Sequence, residues 1–206
     1  MPITFPVRVE TVKFSNGPNQ TIFYPQVTGM ENKQLQRAMN QTIAYQTRQL
    51  IQQQTEGAPA VVEEMIGFYE LKNNQRQVFS VALSNYTYYH HAAHGMTYLK
   101  SLTFDLQQGK LCQLKDLFKP GSDYVKRLSD LIRVQITRRH IPLLDGFTAI
   151  KPNQDFYIAD KALVVYFQLY EIAPYAAGFP MFPISVFDLQ DIIKEDGPLG
   201  RMAIND

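Results

Sequence analysis

Residues 65–89 have the sequence MIGFYELKNNQRQVFSVALSNYTYY, and this stretch decides the fold. Apolar side chains alternate along residues 65–72 and 78–89, as they do in strands whose two faces differ. The polar turn Asn73-Asn74-Gln75-Arg76 separates the two segments. A connection this short joins antiparallel neighbours, because parallel strands need a long crossover. The stretch therefore predicts an antiparallel hairpin in the middle of the chain.

Further strands are predicted on both sides of this hairpin. At the amino-terminal end, alternation begins at Ile3 and continues to Val9. The other predicted strands are residues 21–24, 97–106, 110–114, 156–158 and 162–170. The last of them is apolar on both faces, which places it centrally in its sheet. Residues 174–183, with a proline at each end, are expected to form a rigid loop.

A long helix is predicted over residues 32–54, where apolar residues recur at helical spacing on one face. Its apolar stripe consists of Leu35, Met39, Ile43 and Leu50. Gly57 and Pro59 end the helix. The segment is rich in glutamine, and the apolar stripe indicates that these glutamines form a solvated helix face.

A second long helix is predicted over residues 123–139, with Ser122 as its N-cap. Its apolar stripe consists of Val125, Leu128, Ile132 and Ile136. A short final helix is predicted over residues 186–193, and the last dozen residues are expected to be frayed. The few helices and the short turns between strands predict an α+β fold with antiparallel sheets, each packed against one long helix.

The same order of elements predicts two small sub-domains. The segment 116–121 resembles a hinge, since it contains Pro120 and Gly121 between a strand and a helix. The boundary then separates an N-terminal α+β domain, residues 1–115, from a C-terminal α+β domain, residues 116–206. Each half holds one long helix against its own strands.

The composition excludes several classes of protein. The chain has 206 residues, a formal net charge of +1 and 19% charged residues, so nucleic acid is not an expected partner. A single cysteine excludes an internal disulfide framework and a cysteine-based zinc cage. That residue, Cys112, follows an apolar neighbour and is expected to be buried and inert. No cofactor is expected.

The location of the protein depends on whether the chain is complete. The first residues lack the basic and apolar regions of a secretory signal. No segment reaches the length of about 20 apolar residues that a membrane-spanning helix needs. A complete chain is therefore expected in the cytoplasm, and a fragment of an anchored or secreted protein outside it.

Three of the four histidines lie in one loop, His90-His91-Ala92-Ala93-His94-Gly95. Residues spaced like His90 and His94 converge on a metal when they lie on a helix. Here the segment is a loop between two strands and contains no carboxylate, so no metal is assigned. One hypothesis is a metal-dependent hydrolase that uses these histidines with Glu70 or Glu171 as base. The alternative is a polar loop whose histidines bond to backbone or water.

A second candidate region follows the strand at residues 162–170. Tyr170, Glu171 and Tyr175 lie there, and aromatic rings with one charge suit a protein or sugar partner. Alternatively, Glu171 pairs locally while the tyrosines complete the core. No catalytic residues are assigned, because no nucleophile with its base is found. The candidate ligand-binding residues are Tyr88, His90, His91, His94, Tyr98, Tyr170, Glu171 and Tyr175.

Several short segments resemble the RsiV-type family over nearly the whole chain. In the first half the resemblance lies in Tyr24-Pro25-Gln26-Val27 and the strands up to Asn85-Tyr86. In the second half it lies in Ala93-His94-Gly95-Met96, Leu114-Lys115-Asp116-Leu117-Phe118, Asp155-Phe156-Tyr157 and Tyr170-Glu171-Ile172-Ala173-Pro174-Tyr175-Ala176-Ala177-Gly178. The last of these segments is the most specific.

The resemblance implies two tandem domains like the extracytoplasmic region of an anti-sigma factor that binds lysozyme. The first domain also accompanies peptidoglycan deacetylases, as an accessory to a separate catalytic domain. Neither a sigma-binding segment nor a membrane helix is recognised in these 206 residues, so the chain is not expected to act as an anti-sigma factor by itself. It is therefore expected to be a bacterial, non-enzymatic binding or sensing module for lysozyme or a cell-wall glycan. The alternatives are the metal-dependent hydrolase and a cytoplasmic structural or interaction protein.

Overall fold

The computed structural model describes residues 5–58 and 60–204. Within this part the chain forms nine strands and three α-helices. The strands build one sheet of six and one sheet of three, which confirms the α+β fold. Ile3 of the predicted first strand and Pro59, the expected helix stop, lie outside the described residues.

The six-stranded sheet has its strands in sequence order. They are β1 (Arg8–Ser15), β2 (Gln20–Thr28), β3 (Val62–Gln75), β4 (Val78–Tyr89), β5 (Met96–Asp105) and β6 (Lys110–Leu111). The three-stranded sheet contains β7 (Phe156–Ala159), β8 (Ala162–Tyr166) and β9 (Met181–Ser185), with β8 in the centre. The helices are α1 (Lys33–Thr55), α2 (Tyr124–Arg139) and α3 (Pro198–Ala203).

The hairpin of β3 and β4 is antiparallel, as predicted. Its turn is tighter than expected, because β3 continues to Gln75 and only Arg76 and Gln77 remain between the strands. Both turn residues have positive φ, 50° and 58°, as a two-residue hairpin turn requires. Asn73, predicted in the turn, lies buried in β3, and its amide donates to the Val78 carbonyl (2.7 Å).

One pair of neighbours in the large sheet is parallel, which corrects the prediction of antiparallel sheets. β2 and β3 run in the same direction and pair over a short register from Gln20 opposite Met65 to Ile22 opposite Gly67. The 23-residue helix α1 connects them. A helix of this length supplies the crossover that parallel neighbours need.

The elements stack in four layers, because the two faces of the large sheet pack against different partners. Phe79, Val81 and Leu83 of β4 share a buried cluster with α1 residues such as Met39. The alternate residue Ala82 packs with Leu99 of β5 against the small sheet, through Tyr157, Val164 and Tyr166. The layer order is therefore α1, large sheet, small sheet and α2.

Helix α2 covers the outer face of the small sheet through Leu128, Ile132 and Ile136. Its N-cap is Asp123 and not the predicted Ser122. The Asp123 carboxylate accepts a hydrogen bond from the Lys126 backbone N–H (3.1 Å), which satisfies one of the free donors of the first turn. The stripe predicted for α1 is likewise buried, and Asn32 caps that helix.

The carboxyl-terminal part differs most from the prediction. Strand β9 occupies part of the predicted loop 174–183, and it accepts Pro183 because it is an edge strand. Strand β8 ends at Tyr166, four residues before the predicted end at Tyr170. The predicted helix 186–193 is only a 3₁₀ turn, Val186–Leu189. Within the segment predicted to be frayed, residues 198–203 form α3 instead, because this helix inserts its apolar side chains into the core.

The predicted boundary at residues 116–121 lies beside buried structure. Leu117 and Phe118 are almost fully buried, and Phe118 pairs with Ile193 through an isolated β-bridge. Val78 of β4 belongs to the same cluster as the α2 residues. The division into residues 1–115 and 116–206 stays a prediction.

Among the described helices, none combines the length and the apolar character that crossing a lipid bilayer requires.

Cys112 is buried, as predicted, and burial raises the pKa of its thiol to about 11. The thiol is therefore protonated at neutral pH, which agrees with an inert role.

The carboxyl-terminal helix is held by a buried ion pair. The Asp105 side chain is 0% exposed, and its Oδ1 lies 2.7 Å from Nη2 of Arg201 in α3. Arg201 also donates to the carbonyls of Arg76 and Gln77, so it joins α3 to the β3–β4 turn. The backbone N–H groups of Gln107 and Gln108 complete the shell of Asp105 Oδ1.

Replacing Arg201 with alanine should strongly destabilise the protein, because it leaves the Asp105 carboxylate buried without its counter-charge. We expect the free energy of unfolding, measured by urea titration, to fall by about 3–5 kcal/mol. Arg138→Ala, at an exposed position of α2, is the matched control and should change little. A loss below about 1 kcal/mol in Arg201→Ala would contradict a structural role of the pair.

Candidate functional site

Three of the predicted binding residues meet where the two sheets approach each other. His94, from the β4–β5 loop, stacks on Tyr175, from the loop after β8, with ring centroids 4.2 Å apart. Tyr170 completes the group, with its hydroxyl 3.2 Å from His94 Nε2 and its ring 5.6 Å from that of Tyr175. The structure therefore brings together residues that lie about 80 positions apart in sequence.

The Gly95 backbone connects the His94 and Tyr175 side chains of this cluster. Its carbonyl accepts hydrogen bonds from His94 Nδ1 (2.9 Å) and from the Tyr175 hydroxyl (3.0 Å). Since Nδ1 carries the donated proton, Nε2 of a neutral His94 accepts from the Tyr170 hydroxyl. A side chain at position 95 would meet the Tyr86 ring at 2.2 Å. Close contact with Tyr86 therefore requires glycine here.

Gln168 positions the second loop. Its side-chain amide donates to the Leu99 carbonyl (2.7 Å) and accepts from the Leu99 N–H (3.1 Å), as a neighbouring strand would. The same amide donates to the Asp155 carboxylate (3.0 Å). The chain is thus fixed to β5 two residues before Tyr170. Sequence reasoning missed Gln168, because nothing in its local pattern indicates a contact with β5.

Tyr170 has an unusual backbone conformation. Its φ is +64°, a left-handed value that favours glycine over bulky residues. Its side chain is 44% exposed, so burial does not compensate for the conformation. Non-glycine residues held in such backbone conformations cluster at active sites, ligand-binding positions and switch regions.

Glu171 has a local structural role, as the alternative in the sequence analysis proposed. Its carboxylate accepts from the backbone N–H of Gln168 (2.8 Å) and from Lys151 Nζ (2.8 Å). The hydrogen bond that Lys151 donates to the Glu171 carboxylate raises the pKa of the Lys151 ammonium. Glu171 therefore closes the turn that presents Tyr170, and its carboxylate points toward the protein's own groups.

The other two histidines have different partners. His90 Nδ1 pairs with the Glu63 carboxylate, and the His90 ring lies 3.7 Å from that of the exposed His91. Within residues 5–58 and 60–204, no group of three or more His, Cys, Asp and Glu side chains is arranged to hold a metal ion. Glu70, named above as a candidate base, is paired with Lys72 (2.7 Å).

The two remaining candidates, Tyr88 and Tyr98, lie on opposite faces of the large sheet. Tyr88 shares a face of β4 with Tyr86, and its hydroxyl donates to the Ala92 carbonyl (2.9 Å). Tyr98 packs against the core beneath α1. Tyr88 therefore adjoins the His94 cluster, and Tyr98 does not.

We call the joined surface the loop face and define it by Tyr86, Tyr88, His94, Tyr170 and Tyr175. It continues onto β3, where Ile66 lies opposite Tyr86 in the sheet register. Phe68, two residues further, is 53% exposed and stacks on Phe23 of β2. An aromatic surface thus extends from the loops across the uncovered part of the large sheet.

Comparison with known proteins finds similarity between part of the chain and one family model. Residues 115–186 match the family model described as "Protein of unknown function (DUF3298)". The chain is 26% identical over 182 residues to the anti-sigma-V factor RsiV of Bacillus subtilis, and 25% identical over 134 residues to the peptidoglycan-N-acetylmuramic acid deacetylase PdaC of the same organism. These distant relationships confirm the resemblance to the RsiV-type family.

Both relatives are considerably longer than the matched region. The alignment with RsiV covers 78% of this chain and 60% of RsiV, and that with PdaC covers 62% and 28%. The chain therefore spans less than two thirds of either protein.

Solved structures of DUF3298 proteins have the same fold. One from Bacteroides fragilis superimposes with a TM-score of 0.71 at 14% identity, covering 97% of this chain and 98% of that one. Another, from Pseudomonas aeruginosa PAO1, gives a TM-score of 0.68 at 16% identity and covers 99% of both chains. At these identities the likeness concerns the fold alone.

The contact between Gly95 and Tyr86 gives a test by double substitution. We expect Gly95→Ala to lower the free energy of unfolding by about 1–3 kcal/mol, because the new methyl group displaces the Tyr86 ring. On a Tyr86→Ala background the same change should cost much less, since the ring is absent. Urea titration of the unmodified protein, the two single variants and the double variant gives the coupling free energy between the two residues. An equal cost on both backgrounds would show that the two residues do not pack as described.

Proposed function

We propose that this chain is a non-enzymatic recognition module and that its loop face binds lysozyme. The distant relationship to the anti-sigma-V factor RsiV supports this proposal, as does the resemblance to a lysozyme-binding family. The observation that carries it is the cluster of His94, Tyr170 and Tyr175. These residues lie in two separate loops and meet at an accessible surface.

The chemistry of the loop face suits a protein partner. Tyrosine rings supply large contact areas at a low cost in conformational entropy, and they are enriched at the centres of interfaces. The loops are held in place before binding, since Gln168 fixes one to β5 and Gly95 joins the other to Tyr175. Pre-organised loops lose less entropy on binding.

The charges beside the loop face suit a basic partner such as lysozyme. Glu63 and Glu64 lie on β3 and are exposed. Glu64 lies opposite Tyr88 in the sheet register, which places its negative charge beside the aromatic cluster. Burial, followed by this carboxylate, raises the pKa of Tyr86. Carboxylates at the rim steer a positively charged partner to the surface.

A non-enzymatic role agrees with the interactions of the two candidate bases, Glu70 and Glu171. Glu70 and Glu171 are each engaged by a lysine, and Glu171 also accepts a backbone hydrogen bond. Neither carboxylate lies in a described pocket with His90, His91 or His94. The histidines are therefore better explained as parts of a binding surface than as parts of a hydrolytic centre.

Calorimetric titration with lysozyme tests the proposal. We expect binding of the unmodified chain and a loss of affinity of about tenfold or more in Tyr170→Ala and Tyr175→Ala, as for aromatic residues at the centre of an interface. Tyr45→Ala is the matched control, because Tyr45 is 56% exposed on α1, on the other side of the large sheet. Absence of binding, or an equal loss in Tyr45→Ala, would refute the proposal.

A further inference from the structure

A groove on the other side of the molecule forms a second concave surface. It lies between α1 and the outer edge of β5 and has a volume of about 640 Å³. A second stretch of about 420 Å³ continues it along β5 and shares Gln46, Lys100 and Asp155 with the first. We call this continuous surface the edge groove. The residues of the loop face are absent from its lining.

The edge groove is closed to an added strand, although it follows a strand edge. Gln168 occupies both outward backbone groups of Leu99, and the Cys112 N–H occupies the Thr103 carbonyl (2.8 Å). Only Ser101 lies between these two positions on the outward-facing side of β5. A peptide strand needs several free backbone groups in succession. A ligand of this groove must therefore contact side chains.

Those side chains are mainly neutral and able both to donate and to accept. The helical wall presents Gln46, Gln49 and Gln53, and the ends of the groove present Tyr45 and Tyr98. Each amide offers two donors and one acceptor oxygen, and each phenol offers one donor and acceptor. In the part of the chain that the structure describes, the amides of Gln46 and Gln53 have no hydrogen-bond partner, so they are available to a ligand.

Two of the three charged side chains that line the groove, Lys100 and Asp155, compensate each other. The third, Glu56, is the C-cap of α1, and its carboxylate accepts a hydrogen bond from the Gln52 amide (3.3 Å). Lys100 Nζ lies 2.6 Å from the Asp155 carboxylate, and the pair is only partly exposed. The Asp155 carboxylate also accepts from Gln168 (3.0 Å). A strongly charged ligand would have to separate this pair, whereas a neutral ligand leaves it intact. The groove is therefore suited to a neutral and polar molecule.

From this lining we infer that the edge groove binds a neutral oligosaccharide. Sugar hydroxyls donate and accept in alternation, as glutamine amides do, and the C–H face of a sugar ring packs on an aromatic ring such as Tyr45 or Tyr98. The open, elongated shape fits a chain of sugar rings better than a compact metabolite. This site is separate from the loop face and does not depend on lysozyme binding.

Titration with two neutral probes tests the inference. Chitotetraose, which carries acetamido groups, and cellotetraose, which carries hydroxyl groups only, are each added to the full chain and followed by NMR chemical shifts. Binding of either probe with shifts along Gln46, Gln53 and Tyr98 supports the inference. The stronger probe shows whether acetamido groups are recognised. No shifts with either probe at about 10 mM would overturn it.

Substitutions locate the site and separate it from the proposed function. Gln46→Ala and Gln53→Ala should each weaken binding about three- to tenfold, as the loss of one neutral hydrogen bond predicts. Gln41→Ala, exposed on α1 and absent from the groove lining, is the matched control and should bind normally. The groove variants should bind lysozyme like the unmodified chain. An equal loss in Gln41→Ala would overturn the inference.

Discussion

The pairing of the Gln168 amide with both backbone groups of Leu99 is the contact on which the loop face depends. It ties the chain after β8 to the edge of β5, at distances of 2.7 and 3.1 Å. Seven residues after Gln168 begins the 3₁₀ turn Tyr175–Ala177, from which the Tyr175 hydroxyl donates to the Gly95 carbonyl. One side chain thus closes a strand edge and brings loops of the two sheets together.

The same pairing of one side-chain amide with both backbone groups of a distant residue recurs at two other positions. Asn40 of α1 pairs with both backbone groups of Val27, and Asn74 of β3 pairs with both groups of Val7. In each case a side-chain amide satisfies the N–H and the carbonyl of a residue where strand pairing does not. Side-chain amides of α1 are also used inside the fold, which corrects the prediction that its glutamines form a solvated face. Gln54 is 1% exposed and is hydrogen-bonded to the Asn85 side chain and to the Met96 carbonyl.

Local patterns predict much of this fold. The alternation along residues 65–89 and the apolar stripe from Leu35 to Leu50 depend only on neighbouring residues, and the hairpin and α1 formed as expected. The parallel pairing of β2 with β3 and the burial of α3 depend on distant contacts. Periodicity carries no information on them, since it does not say which strand lies next to which.

The candidate site shows the same division. Residue type alone singled out His94, Tyr170 and Tyr175, because aromatic and histidine side chains in loops are typical of binding surfaces. The same reasoning included Tyr98 and Glu171, which the fold places on another face and in a local turn. Only the three-dimensional arrangement separates these two sets.

The contact between the His94 and Tyr175 rings tests most directly whether Gln168 holds the loop face together. Nuclear Overhauser effects between the two rings should be present in the unmodified protein, whose ring centroids lie 4.2 Å apart. They should be lost in Gln168→Ala and retained in Asn40→Ala, which removes a similar clasp elsewhere. Persistence of the effects in Gln168→Ala would show that the loop face forms without Gln168 and would contradict the account.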